Sequence, residues 1–178
     1  IRKGSMQGKC KRSGVKHKAK IRRTYRLLLE LESKRHNSQT SLFLDQIDRQ
    51  LYQQMILDLY HVYVALEDAL DTHAMSVFPS CHFPEELNRV KSLQEDCEFW
   101  HNARNPSART ISPQTQDYID RIQYLAQHEP LLLLAHSYTR YLGDLSGGRI
   151  LARVARRALD LDKDSGEGLA FYRFEKVT

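Results

Sequence analysis

The 178-residue chain has no apolar run approaching the roughly 20 residues that cross a bilayer. It also does not open with the basic-then-apolar pattern of a secretory signal, so a soluble chain is expected. Its three cysteines, Cys10, Cys81 and Cys97, are widely spaced and include no Cys-x-x-Cys pair. This argues against a disulfide scaffold or a zinc site and for a reducing compartment. No two of the eight histidines are four residues apart, the spacing that places two metal ligands on one helix face. Strand-like alternation is missing before a short aromatic stretch near Phe171, as are internal repeats and linkers. An all-α, multi-helix bundle with short connections is therefore expected, in one domain by the length of the chain.

Charge is distributed unevenly. Residues 1–35 hold 13 lysines and arginines against Glu30 and Glu32, while the remainder carries a net −6. Residues 1–23 contain ten basic residues and no acid, the composition of a disordered arm. Residues 1–30 are accordingly read as a basic arm or non-native flank, and 31–178 as the helical domain. Without interleaved aromatics or a binding motif, no nucleic-acid partner is expected.

Helix signals punctuate the rest. Asp48 is the expected N-cap of a helix reaching about Leu70, with Leu51, Met55, Leu59, Val62 and Leu66 as its apolar stripe. Pro84-Glu85-Glu86 reads as a first turn, and Ser112-Pro113 as another start leading to Tyr118, Ile122 and Leu125. Pro130 opens a last long helix ending near Leu159.

Within that last helix lie Gly143, Gly147 and Gly148. Each interior glycine costs roughly 0.5–1 kcal/mol against alanine, so their missing side chains need a reason. Gly143 and Gly147, four apart, share one face and leave a strip of bare backbone. A flat ligand, a close helix crossing or a glycine bend would each use it. Arg140 and Asp144 share the same spacing, which gives either a surface ion pair or, beside a pocket, a holder of ordered water. Tyr63, Tyr118 and Tyr138 would by default be core residues with hydroxyls at a wet edge. Ser146, His136 and Asp144 name a triad on paper, but no nucleophile elbow surrounds the serine.

The run Ala135-His136-Ser137-Tyr138-Thr139-Arg140-Tyr141-Leu142-Gly143-Asp144-Leu145-Ser146-Gly147-Gly148 closely resembles the signature of the heme oxygenase family. The stretches Leu59–Glu67, Phe83–Leu87 and Ser165–Phe171 resemble that family too, in its order. The resemblance implies heme held between a proximal helix, whose histidine ligates iron, and a kinked distal helix whose glycines meet the porphyrin. Gly143, Gly147 and Gly148 match those glycines, and Tyr138 matches a residue lining the heme pocket. Asp144 matches the aspartate that organises proton-delivering water, with Arg140, Tyr63 and Tyr118 as outer members of that network.

The implied reaction cleaves heme, at once cofactor and substrate, to biliverdin, ferrous iron and carbon monoxide with O2. Electrons would come from NADPH through a partner flavoprotein reductase, since this chain has no dinucleotide-binding glycine loop. Aligned without gaps, the position of the proximal histidine falls on Glu30. His36 is the nearest histidine and the candidate metal ligand. Arg149 stands where the family usually has glutamine.

The chain stops at Thr178, where the family's domain continues through further helices, so a partial, C-terminally truncated bundle is expected. Membrane association would require a C-terminal anchor outside this chain. The implied location is cytoplasmic, at the cytosolic face of the endoplasmic reticulum in a longer form. Two other readings keep the same residues: a non-catalytic heme-binding paralogue, and a helical interaction module.

Overall fold

The structure, a computed structural model, describes residues 47–102, 106–162 and 164–177. The basic arm, its boundary at residue 30, Glu30, His36 and Cys10 lie outside the described residues. Those described are helical with short 3-10 turns.

Helix α1 spans Arg49–Val77. Asp48 caps it, its carboxylate accepting from the Leu51 N–H at 2.9 Å. The helix runs a full two turns past the expected end at Leu70, because no glycine or proline intervenes before Pro79. Thr72 and Ser76 turn their hydroxyls back onto the carbonyls of Asp68 and His73, which lets these polar residues stay helical.

The buried stripe also differs from the expected one. Val62 and Leu66 are buried as expected, but Leu51 is 73% and Met55 40% exposed, and Tyr52, Ile56, Tyr63, Leu70 and Ala74 take the buried face with them. Here the rings of Tyr52 and Tyr63 are core, and each hydroxyl finds a protein partner.

After a 3-10 turn at Pro79–Cys81 comes the single-turn α2, Pro84–Leu87, with proline in its first turn. Helix α3, Val90–His101, follows. Its first residue carries no side-chain cap from Arg89; instead Glu67 of α1 accepts from the Arg89 and Val90 N–H groups. Asn102, in the left-handed region at φ 50°, ends it.

Helix α4, Pro113–His128, begins where expected, with the Ser112 hydroxyl accepting from Thr115 N–H at 3.2 Å. A 3-10 turn at Pro130–Leu132 feeds the 26-residue α5, Leu133–Ala158. Helix α1 is the spine, packing against α3 and α4 along its length and against α5. A final strap reaches the 3-10 turn Ala170–Tyr172 and lies against α3 and α5. No helix among the described residues is long and apolar enough to cross a membrane.

Candidate functional site

Helix α5 carries most of the singled-out residues, and α1 supplies their principal partner. Asp144 Oδ2 accepts a hydrogen bond from the Tyr63 hydroxyl. Tyr63 is fully buried, its ring centroid 5.6 Å from that of Tyr141 and 5.8 Å from that of Phe171. The Arg140 guanidinium lies 5.7 Å from the same ring. The Tyr63 hydroxyl thus meets a carboxylate, not the wet edge expected of it.

Burial, and next the charge of Asp144, push the Tyr63 phenol far above its ordinary value, so it keeps its proton and donates. Burial also raises the Asp144 carboxyl, opposed by the Tyr63 hydrogen bond and the positive fields of Arg140 and Arg89. Arg140 acts on Asp144 as a neighbouring field, and its Nε is buried without a hydrogen-bond partner. Of the two readings of this pair the surface ion pair does not form; a half-buried guanidinium with an orphaned donor stands beside an anchored carboxylate. Such a donor calls for an ordered water or a ligand atom.

The glycines divide. A Cβ built on Gly143 meets nothing within 4 Å, and one on Gly147 meets only Leu151 Cδ1 at 3.9 Å. These two present open backbone on one face. Gly148 is buried and turned elsewhere, where a Cβ would lie 3.4 Å from Tyr172 Cδ1. Gly148 therefore serves the close packing of α5 on the strap.

Tyr118 is one step removed from Asp144. Its hydroxyl pairs with His136 Nδ1 at 2.9 Å; burial raises its pKa while the field of Arg140 lowers it. Tyr138 is 57% exposed and, five residues before Gly143, sits on a different face of α5. The paper triad does not assemble, because Ser146 donates to the Gly143 carbonyl at 3.1 Å and His136 is engaged by Tyr118.

Sequence reasoning missed a polar hub behind the site. Glu67 is 6% exposed and accepts from the Arg89 and Val90 N–H groups and from the Tyr141 hydroxyl at 3.4 Å. Desolvation pushes its carboxyl up to about 7 despite these bonds. Arg89 donates to the carbonyls of Leu87, Asn88 and Arg173 and lies over the Phe174 ring at 4.0 Å. The available signal was spacing: Glu67 follows Tyr63 by four residues, and Tyr141 precedes Asp144 by three, so both share faces with the site.

Comparison with known proteins bears directly on this arrangement. A sequence model for the family described as heme oxygenase matches residues 16–178. The chain is 44% identical over 133 residues to human heme oxygenase 1, covering 74% of this chain and 46% of that protein. It is likewise 44% identical over 131 residues to a heme oxygenase of the alga Rhodella violacea, covering 74% of this chain and 55% of the relative. The chain thus spans about half the length of the curated relatives it matches.

Among solved structures, the heme oxygenase of Leptospira interrogans superposes with a TM-score of 0.69 at 38% identity, over 74% of this chain and 63% of that one. Heme oxygenase-2 of Synechocystis, solved in complex with heme and NO, superposes with a TM-score of 0.68 at 40% identity, over 73% and 52%.

Proposed function

This chain belongs to the heme oxygenase family, and from that premise we propose that its function is the oxidative cleavage of heme to biliverdin, ferrous iron and carbon monoxide. O2 is the oxidant, and NADPH supplies electrons through a separate flavoprotein reductase. The observation that carries the reading is the Tyr63–Asp144 pair beside the open backbone of Gly143 and Gly147.

The residues present fit a heme on this side. Two glycines a turn apart admit a flat ring against the helix backbone, and the orphaned Arg140 Nε and the Asp144 carboxylate offer a donor and an acceptor for water. Heme, when bound, supplies the iron, the oxygen chemistry and the ring that is cleaved.

The chain's own contribution is space and protons. Bare glycine backbone limits the room over the ring and lets it approach α5 closely. Asp144, fixed by Tyr63, orients a water that acts as general acid, while Arg140 holds positive potential beside it. Tyr118 and His136 extend this polar surface outward. His36 would ligate the heme iron; aligned without gaps, the family's ligand position falls on Glu30. The reading also assigns a cytoplasmic location, at the cytosolic face of the endoplasmic reticulum for a form bearing an apolar anchor.

The test is an absorbance titration with hemin, then ascorbate in air with catalase present. Loss of the Soret band with growth of biliverdin absorbance is expected, and it should vanish in His36→Ala. A stable hemin complex that yields no product would replace this reading with a heme-binding one.

A further inference from the structure

Asp96 has no part in that chemistry, yet it is among the most deeply buried groups of the molecule, at 0% exposure on α3. Its two oxygens accept from consecutive backbone N–H groups, Ala170 at 2.7 Å and Phe171 at 2.8 Å. One turn later on α3, Trp100 Nε1 donates to the Gly168 carbonyl at 2.9 Å. The strap from Gly168 to Tyr172 is thereby held at both ends.

Phe171 and Tyr172 diverge, one onto the Tyr63 ring and the other onto the turn of α5 that follows Asp144. Phe171 packs its ring against that of Tyr63, the donor to Asp144. Tyr172 abuts Gly148, one helical turn after Asp144, and its hydroxyl lies 3.4 Å from that of Tyr52. We infer that Asp96 is a positioning residue for Asp144, acting through the strap to fix both the Tyr63 ring and the turn of α5 that follows the aspartate. The inference rests on the proposed function only in giving Asp144 its importance.

A carboxylate suits this task better than an apolar side chain. Burying a charge is costly, and filling volume alone would not require it. Two directional acceptors set the register of two successive amides, and with it where residues 171 and 172 point.

The groups that face Asp144 are Tyr63 from α1, Arg89 ahead of α3, Tyr172 of the strap and Arg140 on its own helix. None of the four is substituted in the two test variants. Asp96→Asn offers one carbonyl and an amide that opposes an N–H donor, so one strap bond is lost. Phe171→Leu keeps both strap bonds and removes the ring behind Tyr63.

The experiment is a pH titration of Asp144 by carbon-13 carboxyl NMR on this chain without heme, with the resonance assigned by its loss in Asp144→Asn. Both variants should displace the Asp144 midpoint from its value in the unsubstituted chain, because the Tyr63 hydrogen bond that lowers it and the burial that raises it both depend on a seated strap. Amide exchange at residues 170 and 171 should accelerate in Asp96→Asn alone.

A merely structural Asp96 would lower the melting temperature and leave the Asp144 midpoint where it was; that result, or unchanged amide exchange, overturns the inference. Should Asp96→Asn fail to fold, the Phe171→Leu midpoint decides. Hemin turnover is run on the same samples. If the unsubstituted chain makes no biliverdin, the functional proposal falls and the carboxyl titration still decides this one.

Discussion

At single positions, the three helical glycines separate by what lies opposite them. Gly143→Ala puts a methyl into open space, so the heme-free chain should gain up to about 1 kcal/mol of helix propensity while losing hemin affinity. Paired thermal melts and hemin titrations test this; a variant that binds hemin as well as the starting chain would sink the glycine-face reading. At Gly168, φ is +73° and a Cβ would fall 2.7 Å from Phe99 Cδ1, so Gly168→Ala should cost more than about 1 kcal/mol. Tyr63→Phe removes the donor that lowers the Asp144 carboxyl, so the pKa rises further. Asp144 would then lose its charge at higher pH, and the acid limb of the pH profile for biliverdin formation should move upward. An unmoved limb would mean that Asp144 does not govern proton delivery. That Asp144 shares a helix with Gly143 and Gly147 was legible in the sequence because the motif is long; that Gly148 turns to the strap was not. The roles of Glu67, Arg89 and Asp96 were not legible either, since periodicity shows which face a residue occupies and not what a buried carboxylate accepts.

Helix boundaries were legible wherever capping chemistry is local. Asp48, Ser112 and the prolines at 84 and 113 act where they were expected to, while Pro130 opens a 3-10 turn and the long helix begins three residues later, at Leu133. The start of α3 was not legible because its cap is supplied in trans, by Glu67 from 22 residues earlier in the chain. Asp48→Ala and Ser112→Ala should each cost about 1 kcal/mol and add nearly independently, as measured by denaturant midpoints. Glu67 has a different signature. Burial pushes its folded carboxyl up to about 7 from an ordinary 4.5, so the folded state binds the extra proton and the Glu67 contribution to stability declines as pH rises from about 4.5 through 7. Relative to Glu67→Gln, the starting chain should therefore lose melting temperature between pH 5 and 8. A pH-independent difference between the two would show that Glu67 is ionised throughout.

For the molecule as a whole, the all-α class followed from the absence of strand alternation and the frequency of helix starts. The packing hierarchy, with α1 as spine, did not follow, because its stripe is built of tyrosines whose hydroxyls are paired inside the protein. If heme engages the folded chain, it must stabilise it by mass action. Hemin at a hundredfold over its dissociation constant should add about 2.7 kcal/mol to unfolding, and no shift in the melt at that ratio would exclude specific binding. The clamp of Trp100 on the strap has an optical consequence. It is the chain's sole tryptophan, its indole N–H is committed to the Gly168 carbonyl, and Tyr52 and Phe99 meet its ring edge-on at 5.2 and 5.0 Å. The protein thus carries a single indole, selectively excited at the red edge of the tyrosine absorption, in one defined setting. Its emission wavelength and lifetime report whether the strap is seated, and energy transfer from it to an absorbing ring on α5 would register ligand arrival without any added label.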